Sequence, residues 1–454
     1  TMLADDKTSY NMPGAVVLPQ GVDIERLQAA FRSLIAAEEI FRTAFVFEQG
    51  QLVQKVCSRA DFTVERLEAV DLAAATTAFI RPFDLSAAPL MRAALWRDEQ
   101  GRELLFVDTH HLIGDGLSAP LIFARLNKAY AGQSLAAPAL SYKDYAYWLQ
   151  ESDTAKDEDI AYWREILADP PPAIDLPTDL PRPAHFDSRG AQYRCELGRE
   201  LSERLAALGG ERGYTPATLF AAAFAILLGK LSHSDDIIIG MPVSSRNMAE
   251  LEGLIGPFIN TQPLRLRPYA DLTLAAYLEQ AQQRLAGSLD HQQLSLEELL
   301  KLCEAPRAAG RNPLYQTLFS LRPVGGDAFC LGGEQLTPIT LENHTAKLEL
   351  SLEAVAEADG YSFIFEYATS LFMPETIALW ARSYAKILGS LLEDESVLLG
   401  DLNCLDDIDR FELLEKPQLL RAPFLDQCLD QQFSRMARLY PNRIALICDG
   451  ESLT

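Results

Sequence analysis

The seven cysteines of this 454-residue chain (Cys57, Cys195, Cys303, Cys330, Cys404, Cys428 and Cys448) include no C-x-x-C pair. A zinc ribbon or a redox dithiol would need such spacing, and an odd, scattered set does not build a disulfide framework. The usage is that of a reducing compartment, and a cytoplasmic location is expected. Positive charge is also short: 40 Lys and Arg stand against 64 Asp and Glu, a net charge of −24. Nucleic acid or an anionic membrane surface would call for clustered cations, so neither is an expected partner. No run of about 18 apolar residues occurs, which excludes a transmembrane helix; the most apolar stretch, 217–228, reads as a buried helix. The start of the chain lacks a basic-then-apolar leader. There is no G-x-S-x-G elbow and no H-E-x-x-H, which weakens the hydrolase and metalloprotease readings.

What remains is 48% apolar and 23% charged, the composition of a globular protein, at a length that fits two to three domains. The clearest boundary is DPPPAIDLPTDLPRPAH (169–185), whose six prolines predict an extended linker between two halves. Before it, Asp23 caps a helix with Ile24, Leu27, Phe31, Leu34 and Ile35 at helical spacing. TAFVF and QLVQKV flank a turn at Gln49-Gly50 as a hairpin. After the linker, Thr215-Pro216 opens an apolar helix leading to the strand IIIGMPV (237–243). LELSL (348–352) and SFIFEY (362–367) alternate as strands, and Pro374 opens a helix to about residue 391. Both halves mix helices and strands, so the fold class is α/β (α+β). The pattern weakens over 399–424, and the last thirty residues read as a helix and a strand that is cut off.

The chemistry concentrates in His110-His111-Leu112-Ile113-Gly114-Asp115-Gly116. The strand ELLFVD (103–108) precedes it and a helix (117–130) follows, and strand-to-helix loops are where α/β scaffolds present functional groups. Histidine changes charge near neutral pH, which suits proton traffic with an amine. Asp115 can fix the loop by pairing with a cation, and the glycines permit tight turns. Adjacent histidines point in different directions, so a metal site is not expected.

HHLIGDG resembles the HHxxxDG signature of the chloramphenicol acetyltransferase-like superfamily. EEIFRTAF (38–45) resembles the RHExLRTxF of non-ribosomal peptide synthetase condensation domains, and YKDYAYW (142–148) their YxDYAxW. IGPFINT (255–261) is similar to IGxFVNT and RNPLYQ (311–316) to RNPLFQ. SYNMP, RPFDLSAAPLMRAAL and LPTDLPRP also read as text of that family, and the matches keep family order from Ser9 to about residue 392. The family's SxAQxRLWxL should precede Ser9, so the chain is expected to begin inside the domain. The segment 65–81 is short, and HQDxPFE appears as HQQLSLE (291–297).

The resemblance implies two acetyltransferase-like lobes in a V-shaped pseudo-dimer. These would span 1–168 and 186–398 around the linker 169–185. A connector (399–424) and the opening of an adenylation domain (425–454), continuing beyond the chain, would follow. It implies amide formation between a donor peptidyl or aminoacyl thioester and an acceptor aminoacyl thioester. Upstream and downstream carrier proteins would bring them on 4′-phosphopantetheine arms, with no cofactor or metal held by the domain itself. His111 would be catalytic, as general base or as a positioning group. His110, Asp115 and Gly116 would be architectural, with Arg42 as the partner of Asp115; Asn260 and Arg311 would be tunnel or loop residues. SYNMP, YKDYA and RNPLYQ lean toward a D-configured donor and an L-acceptor. The alternatives are an epimerisation domain, disfavoured by RNPLYQ and the adenylation-like end, and a non-catalytic recruiting domain, a class that usually loses the histidine motif intact here.

Overall fold

The computed structural model describes residues 8–151, 156–303, 311–322, 329–339, 341–419, 428–448 and 451–454. These fall into two compact units, Thr1–Cys404 and Leu405–Thr454.

In the first unit the chain opens with β1 (Asn11–Val17), then α1 (Ile24–Ala37), whose first turn is capped by the Asp23 carboxylate accepting from the Arg26 N–H. The hairpin of β2 (Thr43–Glu48) and β3 (Gln51–Val56) turns on Gln49 (φ 53°) and Gly50 (φ 82°). Two successive positive φ values match the right-handed twist of the strands, which is why Gly stands there. Then come β4 (Val64–Arg66), α2 (Leu72–Phe79), β5 (Met91–Arg97), β6 (Glu103–His110) and α3 (Ser118–Tyr130). The strand expected over 103–108 runs two residues further, so His110 ends β6 and His111 begins the loop.

α4 (Tyr142–Glu151) and α5 (Lys156–Ile166) lead to the proline-rich stretch. No helix or strand forms across 169–185, as the missing N–H groups dictate. It is packed rather than free, because Ile174 and Leu176 are buried in the large apolar core of the second lobe. α5 sits with that lobe too: Trp163 and Ile166 share a cluster with Ile238, Leu294 and Tyr315.

The second lobe runs β7 (Gly190–Leu197), α6 (Arg199–Arg212), α7 (Pro216–Ser232), β8 (Ile237–Ser244), α8 (Ala249–Glu252), β9 (Ile259–Leu266), α9 (Leu274–Asp290) and α10 (Leu296–Leu302). It continues with β10 (Thr317–Arg322), β11 (Cys330–Leu331), β12 (Glu334–Gln335), β13 (Thr337–Ile339), β14 (Leu350–Glu357), β15 (Gly360–Ala368) and α11 (Pro374–Ser390). α7, capped by Thr215 and opened by Pro216, is buried nearly all round, as its composition required. Among the described residues no single helix is long and apolar enough to cross a membrane. β14 starts at Leu350 rather than Leu348. The backbone just before it is pinned elsewhere, with Ala346 N–H donating to Ser188 O.

Each lobe is built on one sheet. The second holds six strands in the order β7-β15-β14-β10-β8-β9, while the first holds five, β13-β1-β6-β5-β4. β13 belongs to the second half of the chain, yet it pairs antiparallel with β1 (Val16 opposite Pro338) and so stitches the lobes together.

The unit Leu405–Thr454 contains a helix (Leu429–Leu439), with its apolar side chains exposed, and a small antiparallel pair, Leu446–Cys448 with Glu451–Leu453.

Candidate active site at the histidine pair

β6 delivers the two histidines into different surroundings. The buried ring of His110 lies 6.0 Å from Phe83, edge-on, and 6.4 Å from Tyr10, stacked. Its Nδ1 accepts from the Leu112 N–H at 3.1 Å, so Nδ1 holds a lone pair and the ring is neutral with its proton on Nε2. Burial pushes it down to about 4, and the neighbouring His111 adds to the effect. This histidine is a fixture of the loop.

His111 is half-buried, and its main-chain N–H donates to Tyr10 O at 2.9 Å. Burial, then the ammonium of Lys347, hold its ring down at about 4, against a smaller opposing pull from Asp115. At neutral pH it is an uncharged acceptor. Lys347 comes from the second lobe, and its Nζ is 5.3 Å from the centre of the Tyr10 ring. Its ammonium is held below the ordinary value by desolvation, offset in part by Glu366.

Asp115 turns inward and ties the loop to the other lobe. One oxygen accepts from the Ser118 N–H (2.9 Å) and hydroxyl (2.8 Å), capping the start of α3. The other accepts from the Phe258 N–H at 3.0 Å. Arg246 Nη2 lies 3.2 and 3.3 Å from the two oxygens, and both side chains are only 5% exposed. Arg246 in turn donates to the carbonyls of Leu251 and Leu254 and lies over the Phe258 ring at 4.2 Å. A buried carboxylate so fully satisfied is a strong lock.

The expected partner of Asp115 was Arg42, and that is corrected here. Arg42 donates to Ile35 O and Cys57 O inside the first lobe, where it holds the turn into β2. Arg246 does the pairing. It lies 131 residues from Asp115, in the loop after β8, where no local spacing could announce it.

Three sequence segments meet at this lock: the histidine motif, YKDYAYW and IGPFINT. Tyr142 donates to Pro257 O at 3.3 Å, and Tyr145 packs on Phe258 at 4.7 Å. At Gly256 an added Cβ would lie 2.4 Å from the Tyr142 ring, so that glycine is required by close approach. Gly116 is exposed.

The remaining candidates sit further from the histidines. Asn260 donates to Gln292 O and Leu294 O, so it anchors HQQLSLE. That segment is held from the other side by His291, whose Nδ1 is 2.8 Å from Asp159 and whose ring stacks on Tyr162. Arg311 donates to the buried Glu349 (2.7 Å) and to Ile174 O (3.0 Å), fastening the proline-rich stretch to the second lobe. Its guanidinium is occupied as a loop anchor. Among the described residues no group of His, Cys, Asp or Glu is arranged to hold a metal.

Behind the pair lies a second buried carboxylate, Asp108, that sequence reasoning missed. It accepts from Asn11 Nδ2 at 2.8 Å and faces Arg92 at 3.8 Å, while its other oxygen has no partner. Burial pushes it up to about 7 despite Arg92. Two places before the first histidine on a strand, it was readable as an inward residue of β6 but not as a charge.

Residues 1–414 match the family described as Condensation domain. The chain belongs to the condensation-domain family. Among curated proteins, this condensation domain is 34% identical over 458 residues to Surfactin synthase subunit 2 of Bacillus subtilis (strain 168), covering all of this chain and 13% of that one. It is 33% identical to Gramicidin S synthase 2 of Brevibacillus brevis, covering 98% and 10%. The chain thus spans only about a tenth of the length of these curated relatives. Among solved structures it is similar to the X-domain from teicoplanin biosynthesis (TM-score 0.81, 26% identity, 89% and 95% covered). The first condensation domain of the calcium-dependent antibiotic synthetase, in complex with a substrate analogue, shares the fold (TM-score 0.68, 19% identity, 89% and 96% covered). The two-lobed mixed architecture expected from the sequence is the fold of these domains.

Proposed function

We propose that this condensation domain forms an amide bond between two thioester-bound residues, each delivered on the phosphopantetheine arm of a carrier protein in non-ribosomal peptide synthesis. The observation that carries the reading is the half-buried, uncharged His111 on a loop locked by Asp115 and Arg246 across the two lobes. The acceptor α-amine donates a hydrogen bond to the unprotonated ring nitrogen of His111, which aims the amine lone pair at the donor carbonyl. The C–N bond forms and the C–S bond breaks; the amine proton ends on the leaving thiolate, and the lengthened chain rides on the downstream carrier. A base held near 4 is too weak to keep that proton against a thiolate of about 8.5, so His111 aligns the amine and relays its proton rather than storing it. Positioning two tethered reactants supplies much of the barrier reduction, on the order of 7–11 kcal/mol in ideal cases.

The D-donor, L-acceptor preference belongs to this proposal, and so does the opening of an adenylation domain at 425–454. The test is incubation with both loaded carriers, of either donor configuration, followed by intact-mass measurement of the acceptor carrier. Mass equal to the condensed product supports the reading, and an unchanged carrier removes it. A second reading, a domain that recruits a partner without chemistry, is favoured by the likeness to the X-domain from teicoplanin biosynthesis, another structure of which is a complex with OxyB. The unchanged carrier would favour that reading.

A further inference from the structure

The first-lobe sheet and α3 do not close on each other. Met12, Gly14 and Val16 of β1 stand directly opposite Thr109, Val107 and Leu105 of β6, so all six residues share one sheet face. Over that face α3 lays Ala119, Ile122 and Phe123. Glycine on the strand and alanine on the helix leave the space between them unfilled: a cavity of about 280 Å³ lined almost entirely by carbon. A Cβ added at Gly14 would meet no atom within 4 Å, and the same holds at Gly116.

Gly14 and Gly116, which line it, are themselves exposed, so the space is an apolar pocket open to solvent rather than an enclosed void. An apolar cavity of roughly 150 Å³ already accepts a benzene ring, whereas pockets for whole ligands begin near 300 Å³. The volume therefore suits one large side chain. Its position says whose. One end is closed by Phe329, Pro338 and Ile339 of the segment that crosses from the second lobe, with Phe329 edge-on to Phe123 at 4.7 Å. At the other end stand Thr109, Asp115 and Gly116, which flank His111 in sequence on either side.

We propose that this cavity receives the aliphatic or aromatic side chain of one of the two residues being joined, and so selects for a large apolar residue. The inference rests on the amide-forming reading above. Gly14 adopts a backbone conformation open to any L-residue, which makes it the place to fill the cavity from within.

The experiment is Gly14→Leu, with Ala119→Leu entering from the helix side in case the first substitution misfolds. Both are assayed as full chains with four carrier pairs: leucyl or alanyl donor against leucyl or alanyl acceptor. Wild type should favour the leucyl substrate at one position, and either variant should cut that leucyl-to-alanyl rate ratio at least about tenfold, the scale set by one or two methylenes in an apolar pocket. Loss of preference only on the donor side assigns the cavity to the donor, and only on the acceptor side to the acceptor. A folded variant whose ratio is unchanged on both sides, or a wild type with no size preference, overturns the inference and leaves amide formation standing. Wild type inactive on all four pairs overturns both.

Discussion

Two buried aspartates bracket the histidine pair, and their surroundings differ sharply. Asp115 accepts from a hydroxyl, two main-chain N–H groups and a guanidinium at 3.2 Å. Asp108 has one amide donor, an arginine at 3.8 Å that is itself engaged with carbonyls of 81 and 82, and an orphaned oxygen. Both are nearly inaccessible, and burial pushes Asp108 up to about 7. Burial alone penalises the charge, and partners restore it. The difference separates a carboxylate that holds two lobes together from a carboxyl that fills a strand face behind the site.

The largest expected effect comes from breaking the better-partnered one. Asp115→Ala leaves Arg246 buried and unpaired, which should lower stability by about 3–5 kcal/mol and reduce condensation with it. Arg246→Met should reproduce the loss, whereas Arg42→Ala should not. Chemical denaturation of the three variants decides this, and an Arg42 effect equal to that of Arg246 would restore the sequence-based pairing.

Asp108 should act through pH instead. Its folded value is raised, so its contribution is present below the unfolded value near 4 and is lost as pH rises through about 7. His110 and His111, both depressed to about 4, act in the opposite sense: their contribution is present above about 6.5 and is lost as pH falls toward 4. The informative quantity is therefore the difference between wild type and Asp108→Asn. Relative to the variant, wild type should lose up to ~4 kcal/mol between pH 4 and 7. A pH-independent difference would mean that Asp108 is charged throughout that range.

A smaller effect sharpens the comparison at the His111 ring. Lys347→Met removes a cation facing His111, so the His111 titration midpoint should move up from about 4. Ring resonances followed by NMR against pH would show it; a downward move or none would mean that burial alone sets the value.

Much of this was legible in the sequence, but unevenly. The Asp23 and Thr215 caps, the Gln49-Gly50 turn and α7 are local signals, and they appear where their residues demand. The inward role of Asp115 follows from its motif, but not its partner, since an ion pair between residues 115 and 246 depends on how two lobes meet. β13 crossing to β1 is equally non-local. The cavity left no signal because it is missing volume, and Gly14 reads as a strand glycine until α3 is seen above it.

The central claim is that the locked loop presents an uncharged His111 to the amine. The most direct measurement is single-turnover condensation by His111→Ala, with both carriers loaded, product read by intact mass and a melting curve taken alongside. The account predicts a rate lowered by about 10²-fold or more with the melting curve retained. A folded His111→Ala domain that condenses at close to the wild-type rate would contradict it.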